Sequence, residues 1–251
     1  MLNMQVKTRP IHVDSGAISV IIVTYGLSLG SAALLSGLNL IRTLLTTLLV
    51  AINLLSLVRV HLRLVSKPKP MDYALFVVNV VPYTYLLFPT PRPWLLLSLI
   101  PLLIFVIEAL RGKGRGAVAN IAGTALLSST YLPWLAMMGI TPSLTIIYAA
   151  IIWVGYHVFS AIYVEGKLPF RAIKPWFSSL WWLTLTSFLA YLTMSSKLYL
   201  AMMEPTARAV IALREGKINR NGLRENMRRI GIMSLIESII MAVMLLLLIK
   251  Y

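Results

Sequence analysis

The chain has 251 residues, of which 59% are hydrophobic and only 12% are charged. A soluble domain is nearer to about 45–50% apolar and about 25% charged, so this composition excludes an ordinary soluble globular fold. The absence of cysteine excludes disulfides, thiolate catalysis and cysteine-bound metals. The net charge of +15 would favour nucleic acid in a soluble protein. In so apolar a chain, basic loops that contact anionic headgroups explain it, so we predict no nucleic-acid partner.

Nine apolar segments follow one another along the chain. A bilayer core roughly 30 Å thick takes about 20 such residues per helix. The predicted spans are 17–36, 40–65, 72–88, 94–108, 117–138, 143–165, 176–195, 198–213 and 230–249. Proline at 82 is expected to kink the third span. Since these spans and their short connections use nearly the whole sequence, residues 1–251 are predicted to form a single transmembrane domain.

The basic residues fall almost entirely on one side of these spans. When the spans are threaded in order, only four of the 23 Lys and Arg residues face one side, which are Arg42, Arg92, Lys197 and Lys250. The other 19 face the opposite side, and loops rich in Lys and Arg stay cytoplasmic. The sequence therefore predicts an all-α, multi-pass bundle of nine transmembrane helices in the cell membrane. Its N-terminus is inside, its C-terminus is outside, and its partners are membrane lipids; no protein partner follows from the sequence.

Ionisable residues inside the predicted spans are the first candidates for a site. Glu204 and Arg208 are four residues apart in the eighth span, so they share a helix face and can pair. Glu237 lies in the ninth span, where it can pair with Arg208 or with a loop arginine. Charges within a membrane are costly, and they commonly mark ligand or ion pathways. We predict that these three residues and His157 line a binding site, although a structural ion pair is also possible.

The three histidines, His12, His61 and His157, all fall on the inner half of the threaded chain. Two of them on facing helices could hold a haem, but the predicted heights of His61 and His157 match poorly. No zinc-protease motif is present. Interfacial or packed histidines are the simpler interpretation, and no metal or other cofactor is predicted from these residues.

An alternative site uses the acidic residues near the inner surface. Asp14, Asp72, Glu108 and Glu165 each stand at the end of a different span. Magnesium takes oxygen ligands and commonly bridges carboxylates to phosphates, so Asp14, Asp72 and Glu165 could hold Mg²⁺ and a phosphate if they converge. Basic groups near the same face, among them Arg171, could instead bind a phosphate directly.

Four stretches resemble the YwiC-like membrane proteins, within the nine-helix plan of the UbiA-type prenyltransferases. They are R-P-I-H-V-D-S-G-A-I-S from Arg9, the segment 111–133, Y-H-V-F-S-A-I-Y-V-E-G-K-L-P-F-R from Tyr156, and R-R-I-G-I-M-S-L-I-E-S from Arg228. The resemblance implies two aspartate-rich inner motifs that bind magnesium and a prenyl pyrophosphate. The corresponding places here carry one carboxylate each, Asp72 and Glu165, which is a departure from that pattern.

Three functions are consistent with these observations. The leading one is an integral membrane protein whose cytoplasm-facing cavity binds a lipid or a small amphipathic ligand. The second is a UbiA-like transferase of isoprenoid lipids. The third is a proton-coupled transporter or a membrane subunit of a respiratory complex, with Glu204, Arg208 and Glu237 as a relay.

Overall fold

The computed structural model describes residues 15–64, 69–88 and 92–250, without the side chains of 57–64. All regular structure in these residues is helical. The ten α-helices are α1 (Ser15–Leu35), α2 (Leu40–Leu64), α3 (Pro70–Val80), α4 (Leu96–Leu110), α5 (Ala117–Ser129), α6 (Tyr131–Met137), α7 (Leu144–Lys167), α8 (Trp176–Thr193), α9 (Met203–Ala212) and α10 (Leu223–Leu248). Three 3-10 segments cover Val81–Leu87, Pro93–Leu95 and Leu198–Met202. The predicted all-α class is therefore confirmed for the described residues.

In the part of the chain that the structure describes, four helical segments are long and apolar enough to cross a membrane. They are Ser15–Leu35, Pro93–Leu110, Leu144–Lys167 and Leu223–Leu248. A shorter apolar stretch, Leu40–Ser56, lies in α2. Large apolar side chains also stand exposed on the outer faces of the bundle, such as Ile41 of α2, Leu103 of α4 and Phe188 of α8. Extended apolar surface of this kind marks contact with a membrane or a partner, so the helices have the character of a membrane protein.

The predicted fifth span is wrong as a single helix, because the chain breaks into α5 and α6 at Thr130. Pro133 has no N–H with which to continue the helical ladder. The carbonyl of Ser129, which that N–H would have reached, accepts a hydrogen bond from Ser98 Oγ at 3.2 Å. The hydroxyls of Ser129 and Thr130 also bond back to carbonyls three residues earlier, which competes with helix continuation.

Three other predicted spans change helix type within their length. The fourth predicted span does so at its start, where the 3-10 segment Pro93–Leu95 precedes α4. At Pro82 the third span passes from α3 into the 3-10 segment Val81–Leu87, where the sequence predicted a kink. The eighth span begins as the 3-10 segment Leu198–Met202 before α9. It follows Lys197, which has a left-handed φ of 57°. The third and eighth predicted spans each contain only one continuous α-helix, of 11 and 10 residues respectively.

Helix α7 lies at the centre of the bundle, in contact with α5, α6, α8 and α10. Helix α1 packs against α10, α6, α5 and α2, whereas α4 packs mainly on α5, and α3 on α2. The buried core between α1, α6, α7 and α8 is rich in large aromatic side chains, which are Tyr131, Trp134, Trp153, Tyr156, Phe159 and Trp182. Their polar atoms find partners on other helices, as when Trp153 Nε1 donates to Thr24 Oγ1 at 3.2 Å. Such bonds fix the relative positions of apolar helices.

Close backbone packing holds the turn between α7 and α8. A Cβ on Gly166 would lie 2.8 Å from Pro175 Cα, so this position accepts only glycine without a backbone shift. On α7 itself, a Cβ on Gly155 would collide with the side chain of Leu185 on α8. These contacts position the second half of α7, which carries His157, Ser160 and Glu165.

Candidate ligand cavity

A cavity of about 700 Å³ lies between α1, α5, α7 and α10. Its walls come from residues 15–21 of α1, residues 120–127 of α5, the second half of α7 and residues 227–238 of α10. It therefore lies in the half of the bundle next to the basic connections 111–116, 166–175 and 213–222. Polar lining residues are Ser15, Ser19, Asn120, Thr124, His157, Ser160, Glu165, Arg228, Ser234 and Ser238. Apolar lining residues include Ile21, Phe76, Phe105, Leu126, Leu127 and Leu235.

His157 is the one residue of the four predicted ligand contacts that lines this cavity. Its side chain is only 3% exposed, and its Nε2 atom has no hydrogen-bond partner among the described residues. The ring is fixed edge-on against Trp153 and Tyr156, with centroids 4.4 and 5.2 Å away. A buried polar atom without a partner is costly, and among the described residues no side chain offsets this cost at Nε2.

Glu165 also lines the cavity, although the sequence placed it in the alternative metal site. Its carboxylate forms an ion pair with Arg171, with Nε and Oε2 2.6 Å apart, and accepts a hydrogen bond from Asn120 Nδ2 at 2.7 Å. Arg171 further donates to the carbonyl of Arg115 at 2.7 Å. Glu165 and Arg171 are thus brought together, as members of one ion pair that ties α5, α7 and the following turn.

Arg208 and Glu237 form a short ion pair beside the cavity, between α9 and α10. Arg208 also contacts Ser234 Oγ at 3.4 Å and stacks over the ring of Tyr163 at 4.6 Å. Tyr156 donates to Glu237 Oε2 at 3.4 Å and to the carbonyl of Ser234 at 3.2 Å. The pair therefore does not line the cavity. It lies behind Ser234, whose hydroxyl contacts Arg208 and which does line the cavity.

Glu204 takes no part in this pair. It is exposed at the start of α9, and the ion pairs among the described residues do not include it. Its side chain instead borders a separate pocket of about 250 Å³ with Met203, Met241 and Met244. The predicted Glu204–Arg208 pair is wrong, because Glu237 on the facing helix α10 offers Arg208 a more buried partner.

The alternative metal residues have other roles where the structure describes them. The Asp72 carboxylate accepts a hydrogen bond from the backbone N–H of Lys69 at 2.8 Å and so caps α3. Asp14 and His12 lie outside the described residues, and so does the side chain of His61, on which the haem hypothesis depended. No group of three or more His, Asp or Glu side chains suited to a metal ion occurs in the described part of the chain.

The sequence interpretation missed the polar cluster at the end of α7. Lys167 is buried and pairs with Glu215, with Nζ and Oε2 2.9 Å apart. Tyr163 donates to the same Glu215 oxygen at 2.5 Å, and Lys167 Nζ also donates to the carbonyl of Gly216. This cluster fixes the loop after α9 onto α7. Its signal in the sequence was weak. Glu215 lies in a loop rich in Lys and Arg, and the predicted membrane topology already accounts for such a loop without a specific ion pair.

Ser234 and Ser238 were also missed, although their spacing carried a signal. Together with Glu237 they fall at positions i, i+3 and i+4 of α10, which is one face of a helix. Ser160 Oγ donates to Ser234 Oγ at 3.3 Å, which joins α7 and α10 at the cavity wall. A polar stripe within an otherwise apolar helix predicts a face that points to protein rather than to lipid.

Comparisons of this chain with protein-family models, with curated proteins and with solved structures give no match. The resemblance to the YwiC-like and UbiA-type proteins therefore stays a prediction.

Proposed function

We propose that this chain is a multi-pass protein of the cell membrane that binds a lipid or small amphipathic ligand in the cavity between α1, α5, α7 and α10. The four long apolar helices among the described residues support a membrane location. The nine crossings and the cytoplasmic N-terminus are proposed from the apolar segments and the one-sided basic residues of the sequence. In that orientation the cavity opens toward the cytoplasmic half of the bilayer.

The observation that carries the proposal is the buried Nε2 of His157 at the wall of the cavity. The cavity volume of about 700 Å³ falls in the range of small-molecule sites, which are mostly apolar with a few placed polar groups. Ser160 and Thr124 also line the cavity and carry hydroxyl groups, and Leu126 and Leu127 supply apolar lining. A ligand with one polar end and one apolar part matches this division.

Native mass spectrometry of the full chain, purified in mild detergent and incubated with a total membrane lipid extract, tests the proposal. We expect a bound small molecule on the wild type. Ala161 lines the cavity, so Ala161→Trp should fill it and remove the adduct. His157→Phe keeps the ring but removes Nε2, and should weaken retention by about tenfold, the effect of one lost hydrogen bond to a buried group.

The matched control is Leu103→Trp, which adds the same residue on the exposed face of α4, away from the cavity. This variant should retain the adduct. Equal retention by Ala161→Trp and the wild type would contradict the proposal. A folded wild type that carries no adduct after incubation would contradict it as well.

A further inference from the structure

Among the described residues, one positive side chain on the cavity wall has no negative partner. Within the described residues two charged side chains line the cavity, the buried Glu165 and the exposed Arg228. Glu165 is neutralised by Arg171 at 2.6 Å and is bonded by Asn120. Arg228 forms no ion pair within the described residues. The Arg208 charge behind the wall is paired with Glu237, so the uncompensated charge on the lining is that of Arg228.

The backbone adds to this potential. Helices α5 and α10 begin at Ala117 and Leu223, on the side where α7 ends. Asn120 in the first turn of α5 and Met227, just after the first turn of α10, line the cavity. Each helix N-terminus carries about half a positive charge on free N–H groups. These termini give no site alone, but they have the same sign as Arg228.

The second, independent observation is His157. Its Nε2 is unpartnered within the described residues, and the side chain is 3% exposed on the cavity wall. Because His157 lies eight residues before Glu165 on α7, it stands about 12 Å farther along the helix axis. The cavity therefore has a charged end near Arg228 and a deeper polar contact at His157. Between and around them lie Phe105, Leu126 and Leu127.

We infer that the ligand carries an anionic headgroup, a phosphate or a carboxylate, which Arg228 binds at the cytoplasmic end of the cavity. Its apolar part lies against α4 and α5, and His157 contacts a polar atom farther along it. Arginine suits this role because its planar guanidinium gives two parallel hydrogen bonds to either headgroup. This inference rests on the proposed function and names the chemical class of its ligand.

The test is a competition on the full-length protein in detergent. Delipidated protein is incubated with equal amounts of phosphatidylglycerol and phosphatidylcholine that have the same acyl chains, and native mass spectrometry gives the ratio of the two adducts. We expect the wild type to prefer the anionic lipid by about tenfold, as one charge-assisted hydrogen bond allows. Arg228→Gln should bring the ratio close to one.

The control is Arg229→Gln, the adjacent exposed arginine that does not line the cavity. It removes the same charge from the same turn of α10 and should leave the ratio unchanged. If both variants lower the ratio equally, the preference comes from general surface charge and the inference is wrong. Equal binding of both lipids by the wild type would also overturn it, while leaving the proposed function intact.

Two further outcomes separate the sources of the anion. Inorganic phosphate alone, added to the lipid-free protein, should leave the unfolding temperature unchanged if the headgroup needs its tail. If phosphate stabilises the wild type but not Arg228→Gln, and no lipid adduct forms, then the site binds a free anion and the inference of an amphiphilic ligand is wrong. Absence of both lipid adducts, with no response to phosphate, would remove the proposed function together with this inference.

Discussion

Helix α7 and the segment Pro93–Leu110 are both long apolar helices, but their surroundings differ. In α7, 67% of the most apolar window is buried, whereas in Pro93–Leu110 only 11% is buried, although the latter is the more apolar of the two. In water the more apolar helix would be the buried one. Here the buried helix carries His157, Ser160, Glu165 and Lys167. Lipid covers apolar surface without cost, while polar groups need partners inside the protein, so this inversion fits the proposed membrane location.

The largest expected effect concerns the ion pair that joins α9 and α10 beside α7. Glu237→Leu leaves Arg208, whose side chain is 14% exposed, without its partner and should lower the free energy of unfolding by about 3–5 kcal/mol. Glu204→Leu, at an exposed site without an ion pair, should change it by less than about 0.5 kcal/mol. Unfolding in detergent with increasing dodecyl sulfate measures both.

The double variant Arg208→Met with Glu237→Leu should recover most of that loss, since no isolated charge remains. A double variant no more stable than Glu237→Leu alone would show that the two residues do not act as a pair.

Truncation of matched isoleucines tests the comparison directly. Ile152 of α7 is fully buried, and Ile100 of α4 is 54% exposed. Ile152→Ala should cost about 2–5 kcal/mol, because it removes packed methyl groups and leaves a cavity. Ile100→Ala should cost less than about 0.5 kcal/mol. The same dodecyl sulfate titration compares them, and equal losses would mean that α4 is packed against protein in the native assembly.

A smaller effect is expected at the end of α7. Gly166→Ala places a methyl group 2.8 Å from Pro175 Cα, and such overpacking should cost about 1–3 kcal/mol. Gly26→Ala in α1 has no atom within 4 Å of the new methyl group, so its stability should stay the same or rise slightly. Thermal unfolding in detergent distinguishes them. A neutral Gly166→Ala would show that the turn between α7 and α8 is free to move.

The smallest effect is a pH dependence of the loop that α7 holds. Burial raises the pKa of Glu215, but the hydrogen bonds from Tyr163 and Lys167 and the charges of Lys167 and Arg208 outweigh it, so the net shift is downward. A lowered pKa gives stability that is present above the unfolded value of about 4.3 and is lost as pH falls through the folded value. The difference in unfolding temperature between the wild type and Glu215→Gln should therefore shrink as the pH is lowered from 7 to 3. A difference that stays constant with pH would show that the Glu215 charge does not stabilise the loop.

Local features of the fold were largely predictable. Proline at 82 predicted a kink at the place where α3 passes into a 3-10 segment. The apolar stretches placed most helices within a few residues, but α10 begins at Leu223, seven residues before the predicted start of the ninth span. The break at Thr130 was not predicted. Pro133 alone does not decide between a kink within one helix and the first turn of a new helix, because proline is found in both. The outcome depended on Ser98, a residue of another helix that satisfies the Ser129 carbonyl.

The site was predictable only in part. His157 was expected to contact a ligand, and the structure places it on the cavity wall. Glu237 was expected near Arg208 or a loop arginine, and Arg208 is its partner. The position of Glu204 could not be read from its spacing, because helical spacing tells which residues share a face but not which helix that face meets.

The sequence by itself determined an all-helical chain with long apolar segments and one basic side. Hydropathy, proline positions and loop charge each depend only on residues that are close together in the sequence. Only the tertiary structure decided that α7 is central, that Glu165 pairs with Arg171, and that α1, α5, α7 and α10 leave a cavity between them. These features depend on the relative rotation and height of helices far apart in sequence. Apolar helices of similar composition carry little information about either, so a few polar contacts and close glycine approaches set them.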